Sequence, residues 1–384
     1  MCLWIFIEII FFFFNPLNDE SYRIQCNYDW ILYNYCPDVV DVKINTKDDG
    51  GKVVYTYTNS IGQRVKDRSF LFSSKPQNVF IGDSFLQADE VNFDETFYGR
   101  LIALGHDVSA LGYSSWNIIE YREAIEKLGY FDTHYHVFLM PNDITPAYKR
   151  SVYYERKTSP IRKIDTTMPS GFKTMLSKAY KNSLTKRLVS YMTPQNSNNL
   201  KPIEAKLFDL EHVEDCEPLS TLDDAYRNSL GYDYAVYSKN YSCWPELHKE
   251  AAKQALREIQ LLVEKVSSLN SKLTIYMIPA GWSFSNQNTN GRKNNRHYFF
   301  GDESNVTAEP LTKYLASNLQ GIEFVSLELL MSEWFDCIEC ENNFYFADDG
   351  HWTPETHRIV AGYLSKKLEL AEKSSTDSLL PFKH

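Results

Sequence analysis

The stretch Phe80-Ile81-Gly82-Asp83-Ser84-Phe85 limits the fold of this chain more than any other. Ahead of it, Gln77-Asn78-Val79-Phe80-Ile81 is a short apolar run that reads as a buried strand, and a serine stands just past its end beside a glycine. In an α/β protein, a strand that ends in a tight turn lifts one side chain to the carboxyl edge of the sheet. From Val79 onward strand patterns alternate with helix patterns, which is the signature of a parallel sheet with helices on both faces.

That alternation can be followed through the chain. A helix is expected over residues 95–105, a second strand at Val108-Ser109-Ala110-Leu111 and a helix over 114–128, where Ile118, Tyr121, Ile125 and Leu128 share a face. His136-Val137-Phe138-Leu139-Met140 makes a third strand and stops at Pro141-Asn142-Asp143. A long helix over 245–270 precedes the fourth strand, Leu273-Thr274-Ile275-Tyr276-Met277-Ile278. A short helix over 311–319 and a fifth strand, Ile322-Glu323-Phe324-Val325-Ser326-Leu327, follow. The last helix starts at Thr353-Pro354, a capping residue followed by proline in the first turn.

Three segments fall outside this pattern. Residues 1–18 carry a hydrophobic start whose first 14 residues are almost wholly apolar apart from Glu8. A spanning helix needs roughly 20 such residues. The start therefore reads as a signal anchor clipped at its beginning, with a mis-called start codon as the alternative, and membrane attachment through residues 1–14 or export to the cell envelope is the expectation. Residues 19–75 read as a β-rich lead-in, with a hairpin formed by Val39 to Ile44 and Val53 to Thr58, and no catalytic role is expected of it. Within the main unit, 76–384, an insertion spans about 149–245. Its first part, 149–206, holds 13 Lys and Arg against three acids, and 207–245 holds eight acids against Arg227 and Lys239. A helix over 171–192 is expected there, packed on the core with a solvated basic face, or alternatively serving as a lid or a surface for acidic glycan or anionic lipid.

Composition excludes some functions. With 43% hydrophobic and 23% charged residues the chain is an ordinary globular one, and its 384 residues can bury a full core. A net charge of −10 opposes a nucleic-acid backbone as the partner. Aromatic content is high at 15%, with 26 Tyr, a load that suits sugar handling as well as an aromatic core. Seven cysteines are too few for a disulfide scaffold. Cys26 and Cys36 flank a short aromatic segment, and Cys337-Ile338-Glu339-Cys340, a single CxxC without a second pair at zinc spacing, reads as a local disulfide or two free thiols. A thiol enzyme built on that pair is disfavoured, because no basic neighbour or helix start lowers the thiol pKa.

A serine needs a base and donors for an oxyanion. Ala347-Asp348-Asp349-Gly350-His351-Trp352-Thr353 sits just before the last helix, where a histidine can reach the carboxyl edge of the sheet and a carboxylate three residues earlier can turn back to hold its imidazole. Asn142 after the third strand, the N–H of Gly112 after the second and the N–H of Ser84 are the candidate oxyanion donors.

Gly82-Asp83-Ser84-Phe85, Gly112, Asn142-Asp143 and Asp348-Asp349-Gly350-His351 resemble, in order, the four sequence blocks of the SGNH (GDSL-type) hydrolase superfamily. The resemblance spans roughly residues 76–372. It implies a flavodoxin-like three-layer α/β/α sandwich with a central, mainly parallel five-stranded sheet, and serine ester hydrolysis or acyl transfer without metal or cofactor. Ser84 is the implied nucleophile, His351 the base and Asp348 the acid, with Asp349 as a substitute acid. The sequence departs from the blocks at Phe85 in place of leucine, at Ala110 and Ser115 in the second block and at Met140 in the third. The hydrophobic start, the Asn-Ser-x-Gly-x-Arg loop at residues 59–64 and the strand ending Met277-Ile278-Pro279 also resemble exported members linked to polysaccharide modification. The implied substrate is an acyl ester, foremost an acetyl ester of a cell-envelope or exported glycan. The rival expectation is a non-catalytic glycan-binding or scaffold protein of the same fold.

Overall fold

The computed structural model describes residues 25–26, 28, 31, 34–45, 51–147, 230–279, 281–283, 307–319, 321–335, 344–346 and 350–377. The hydrophobic start, the helix expected over 171–192, the Cys337–Cys340 pair, Asp348 and Asp349 lie outside them.

Five strands form the central sheet: β6 (Asn78–Gly82), β7 (Val108–Gly112), β8 (His134–Leu139), β9 (Lys272–Met277) and β10 (Glu323–Ser326). All are parallel, in the order β10-β9-β8-β6-β7. This is the flavodoxin-like order, in which the chain reverses direction between β6 and β8 and opens a crevice at their carboxyl ends. Every residue of β6 is buried, as its Val79-Phe80-Ile81 run requires of a strand covered on both faces.

The helices follow from the connections. From β6 the chain passes through α2 (Phe97–Ala103) to β7, and from β7 through α3 (Ile118–Leu128) to β8 on the other side of β6. Right-handed crossovers in opposite directions put α2 and α3 on opposite faces. The 23-residue α5 (Glu246–Ser268) packs against α3, and α8 (Pro354–Asp377) packs against α2, which completes the three-layer α/β/α sandwich. On the α2 face the ring of Phe97 lies 5.3 Å from Phe80 and 5.1 Å from Phe138. Local signals set the boundaries. Asn117 and Glu120 form a capping box at the start of α3, and Gly129 ends it in the left-handed region.

The remaining helices agree with the sequence pattern only in part. Residues 230–237, within the expected insertion, form helix α4 (Leu230–Tyr237), whose Tyr234, Val236 and Tyr237 are buried in the core. α6 (Glu309–Asn318) matches the short helix expected before β10. Leu327, read as the end of the fifth strand, instead begins α7 (Leu327–Phe335). No helix among the described residues is long and apolar enough to cross a membrane.

The described residues between 25 and 65 hold five short strands. A ribbon of β1 (Gln25–Cys26) and β2 (Asn34–Tyr35) is closed by a Cys26–Cys36 disulfide. β3 (Val40–Ile44) and β4 (Val53–Thr58) form the expected antiparallel hairpin, and the short β5 (Arg64–Val65) pairs with β4. The loop between β4 and β5 is held by Asn59, whose Oδ1 accepts the N–H groups of Ile61 and Gln63 at 3.1 and 2.9 Å. Gly62 takes φ +77°, and a Cβ there would strike the carbonyl of Tyr35. The loop delivers Arg64 into the interior at 5% exposure, where its guanidinium donates to the carbonyls of Gln87 (2.9 Å), Ala88 and Val91.

Two expectations follow. Arg64→Met leaves three carbonyls at a buried turn without their donor, so the unfolding free energy should fall by at least about 3 kcal/mol. A urea titration reads this as a lower midpoint at unchanged slope, and a loss under about 1 kcal/mol would contradict it. The second concerns His134 on β8, whose Nε2 lies 2.8 Å from Thr274 Oγ1. Burial, reinforced by Lys272 and Lys367 and opposed by Glu323, pushes its pKa down to about 4. A histidine depressed in the folded state contributes full stability above its unfolded pKa of roughly 6.5 and loses it as pH falls toward the folded value. Carboxyls that desolvation pushes up, Asp83 and Asp89 to about 6 and Glu123 to about 7, act in the opposite sense. The comparison is therefore with His134→Gln: between pH 6.5 and 4, wild type should lose stability relative to the variant by roughly 1 kcal/mol per pH unit at most. Parallel stability-pH curves would refute it.

Candidate active site

Ser84 opens the four-residue helix α1 (Ser84–Gln87) directly after β6. Asp83 caps this helix, its Oδ1 accepting the N–H of Phe85 at 3.0 Å. Phe85 and Leu86 are buried, which fixes the turn while Ser84 itself stays partly exposed. The helix ends at Ala88 with φ +51°, a conformation that costs a non-glycine residue roughly 1 kcal/mol. Arg64 grips the carbonyls on both sides of that bend.

His351 arrives from the far end of the chain. Residues 344–346 and 350–353 lie antiparallel, with Phe346 N donating to His351 O at 2.8 Å, Thr353 N to Phe344 O at 3.1 Å and a bridge between Tyr345 and Trp352. Gly350 turns this loop with φ +84°. The Tyr345 hydroxyl donates to the Pro279 carbonyl at 3.0 Å and so ties the loop to the carboxyl end of β9. Trp352 is buried, and its ring stands edge-on to Phe85 at 5.1 Å. Phe85 also meets the His351 ring edge-on at 4.9 Å, so the residue that departs from the expected leucine forms one wall for the imidazole.

The two side chains meet: His351 Nε2 lies 2.8 Å from Ser84 Oγ, across 267 positions of sequence. On the other side of the ring, Nδ1 lies 3.5 Å from Oε1 of Glu90, a residue that is 6% exposed. The same Oε1 accepts from Lys43 Nζ at 2.7 Å, and the Glu90 backbone carbonyl accepts from Asn45 Nδ2 at 2.8 Å. Lys43 lies on β3 and Asn45 follows that strand directly, so the lead-in, of which no catalytic role is expected, contacts Glu90.

Gly112 pairs with Gly82 at the ends of β7 and β6. A Cβ at 112 would come within 2.5 Å of Leu86 Cβ and 2.9 Å of the Gly82 carbonyl, so only glycine lets β7 run this close to the serine turn. Ser115, where the resemblance expects a second glycine, holds the left-handed conformation at φ +65°. Asn142 sits in the 3₁₀ turn Pro141–Asp143 after β8, next to β6, and its buried Oδ1 has no hydrogen-bond partner among the described residues. Asp143 closes that turn, its Oδ2 accepting from Met140 N at 2.8 Å and from the Tyr121 hydroxyl at 2.9 Å. Burial raises the pKa of Asp143 well above the usual carboxylate range, and the nearby Asp83 raises it further. Burial also lifts Asp83 to about 6, against the Phe85 N–H and His351, which favour its ionised form. Among the described residues no group of three His, Cys, Asp or Glu side chains is placed to hold a metal ion.

Ser84, His351, Gly112 and Asn142 are thus gathered around the carboxyl ends of β6, β7 and β8. Glu90, Lys43 and Arg64 were missed. Arg64 carried a signal, since it ends the Asn-Ser-x-Gly-x-Arg loop. Glu90 carried none, being one of two adjacent acids in a loop.

No family model matches the chain, and no curated protein matches it. A solved structure from Bacteroides fragilis NCTC 9343, described as a "putative acylhydrolase", is similar over 77% of this chain and 90% of its own, at 11% identity and a TM-score of 0.33. At that score the likeness carries no weight for function, and the fold rests on the strand order above.

Gly112→Ala should lower the unfolding free energy by about 1–3 kcal/mol, because Leu86 and the serine turn must move to admit the methyl group. Thermal unfolding measures it, and an unchanged Tm would show that the turn is looser than described.

Proposed function

We propose that the chain is an SGNH-type serine enzyme that hydrolyses or transfers acyl esters. The observation that carries this reading is the 2.8 Å contact between Ser84 Oγ and His351 Nε2 at the carboxyl edge of the sheet. His351 Nε2 takes the hydroxyl proton as Ser84 Oγ attacks the ester carbonyl. The negative charge that develops on the carbonyl oxygen is met by the N–H groups of Ser84 and Gly112 and the side-chain amide of Asn142. The Ser84 N–H opens α1, so no intrahelical carbonyl consumes it. On collapse the alcohol leaves with the proton from His351, and an acyl-serine remains. Water or a sugar hydroxyl, deprotonated by the same nitrogen, then releases the acyl group. Water makes the enzyme an esterase, and a hydroxyl makes it an O-acyltransferase.

The substrate we propose is an acetyl ester of a cell-envelope or exported glycan, encountered outside the cytoplasm. The Cys26–Cys36 disulfide supports such a compartment, since disulfides persist where the surroundings oxidise. The apolar start, residues 1–14, supports attachment to a membrane. The aromatic content supports a sugar ligand.

The test uses the full chain with 4-nitrophenyl acetate, with and without a neutral oligosaccharide acceptor. Ser84→Ala and His351→Gln should each cut turnover by at least roughly 10³-fold, and a fluorophosphonate should label wild type at Ser84 and neither variant. Faster product release with the oligosaccharide, accompanied by acetylated sugar, would assign transfer. Equal turnover by wild type and Ser84→Ala would remove the serine mechanism and leave the scaffold alternative.

A further inference from the structure

The geometry points to Glu90 as a carboxylate that helps position the His351 imidazole, with Lys43 of the lead-in sheet holding Glu90 in place. The lead-in thereby completes a relay of Lys43, Glu90, His351 and Ser84. The consequence for rate rests on the serine reading above. The effect on the imidazole does not.

For Nε2 to receive the Ser84 proton it must be the unprotonated nitrogen, so Nδ1 must carry the hydrogen. Nδ1 faces Glu90 Oε1 at 3.5 Å. An anion there favours this tautomer in the resting state and the imidazolium once the proton has moved. At this separation the interaction is a charge pairing rather than a short hydrogen bond, and in a buried site such a pairing still biases the ring. Glu90 is built for the position. Its carbonyl is tied by Asn45 at 2.8 Å, its side chain is 6% exposed, and Lys43 fixes the oxygen that faces the ring. Arg64 holds the carbonyls of Ala88 and Val91 on either side. All three clamping residues belong to the lead-in, two on the β3 side of its hairpin and one at β5.

Lys43 also tempers the carboxylate. An unpaired Glu90 would raise the proton affinity of His351, and the ammonium at 2.7 Å offsets part of that. Among the described residues, Asp83 and His357, the latter kept neutral by burial down to about pH 3, also act on His351, and Asp89 and Arg64 act on Glu90. The two cations therefore share one carboxylate, and removing either end of the pair should move the imidazole in opposite directions.

The experiment follows the His351 ring by NMR in the full chain labelled with isotopic histidine, its signals identified by their loss in His351→Gln. Wild type, Glu90→Gln, Glu90→Asp, Lys43→Met and Asp348→Asn are titrated, and fluorophosphonate labelling rates are taken on the same samples. Glu90→Gln should lower the His351 midpoint by about one pH unit and reduce the Nδ1–H tautomer, while Lys43→Met should raise the midpoint. Labelling should slow at least roughly tenfold in Glu90→Gln, with part of the rate returning in Glu90→Asp. A merely structural Glu90 would lower thermal stability without opposite shifts in the two variants. An unchanged tautomer and midpoint in Glu90→Gln, with the shift appearing instead in Asp348→Asn, would overturn the assignment. If the midpoints move as stated but Ser84 is never labelled, the serine mechanism fails and the positioning of His351 by Glu90 stands.

Discussion

A guanidinium at 5% exposure has lost its water and must find acceptors, and Arg64 finds them in the backbone that follows the candidate nucleophile. Helix α1 has only four residues, too few to be stable by its own hydrogen bonds. It ends in a left-handed Ala88 and passes into a loop that must present Glu90 to the imidazole. Arg64 supplies from outside what this segment lacks, and Asn45 and Lys43 add the remaining anchors. The lead-in is then better understood as part of the site's scaffold than as a preface to the main unit.

The parallel sheet gives the site its other half. Strand order alone places the ends of β6 and β8 side by side at the point where the crossovers diverge, so Ser84 and the turn holding Asn142 emerge together. The His351 loop is attached separately, through Tyr345 to the end of β9 and through Trp352 to Phe85. Two independent attachments, one polar and one aromatic, fix the approach of the imidazole to the serine hydroxyl. Aromatic edge contacts of this kind contribute roughly 0.5–1.5 kcal/mol each beyond burial, which suits the enrichment of rings around Phe85, Phe97 and Trp352.

Strands were legible because buried parallel strands are short apolar runs bounded by breakers, and all five sheet strands stand within two or three residues of their expected positions. Capped helices were legible for the same reason. Helix α7 was not, because Leu327-Glu328-Leu329-Leu330-Met331 continues the apolar run of β10 with no Gly or Pro between them. Helix α4 was hidden by its β-branched and aromatic content and by the acidic residues before it, since tertiary burial rather than propensity makes it helical. Within the site, Ser84, Gly112, Asn142 and His351 were readable because each sits just past a strand or before a helix. Glu90 was not, since its role depends on a loop bent by a residue on another sheet, and no local spacing encodes that.

The buried carboxyls Asp83 and Asp143 link the two halves. Each closes a turn: Asp83 caps α1 behind Ser84, and Asp143 ties Met140 and Tyr121 behind Asn142. Burial disfavours charge on both, and the charge of Asp83 makes ionisation of Asp143 harder still. Two carboxyls in such surroundings share protons as a pair rather than titrate alone. Asp83, which accepts a backbone N–H and feels His351, is the better placed to hold the negative charge, and Asp143 the proton. On that assignment the Asp143 Oδ2 that accepts from Met140 N and the Tyr121 hydroxyl belongs to a neutral carboxyl, so the turn carrying Asn142 is held by a neutral group. A neutral Asp143 keeps a second negative charge away from the turn that carries Asn142, while Asp83 and a protonated His351 each favour the other's charge.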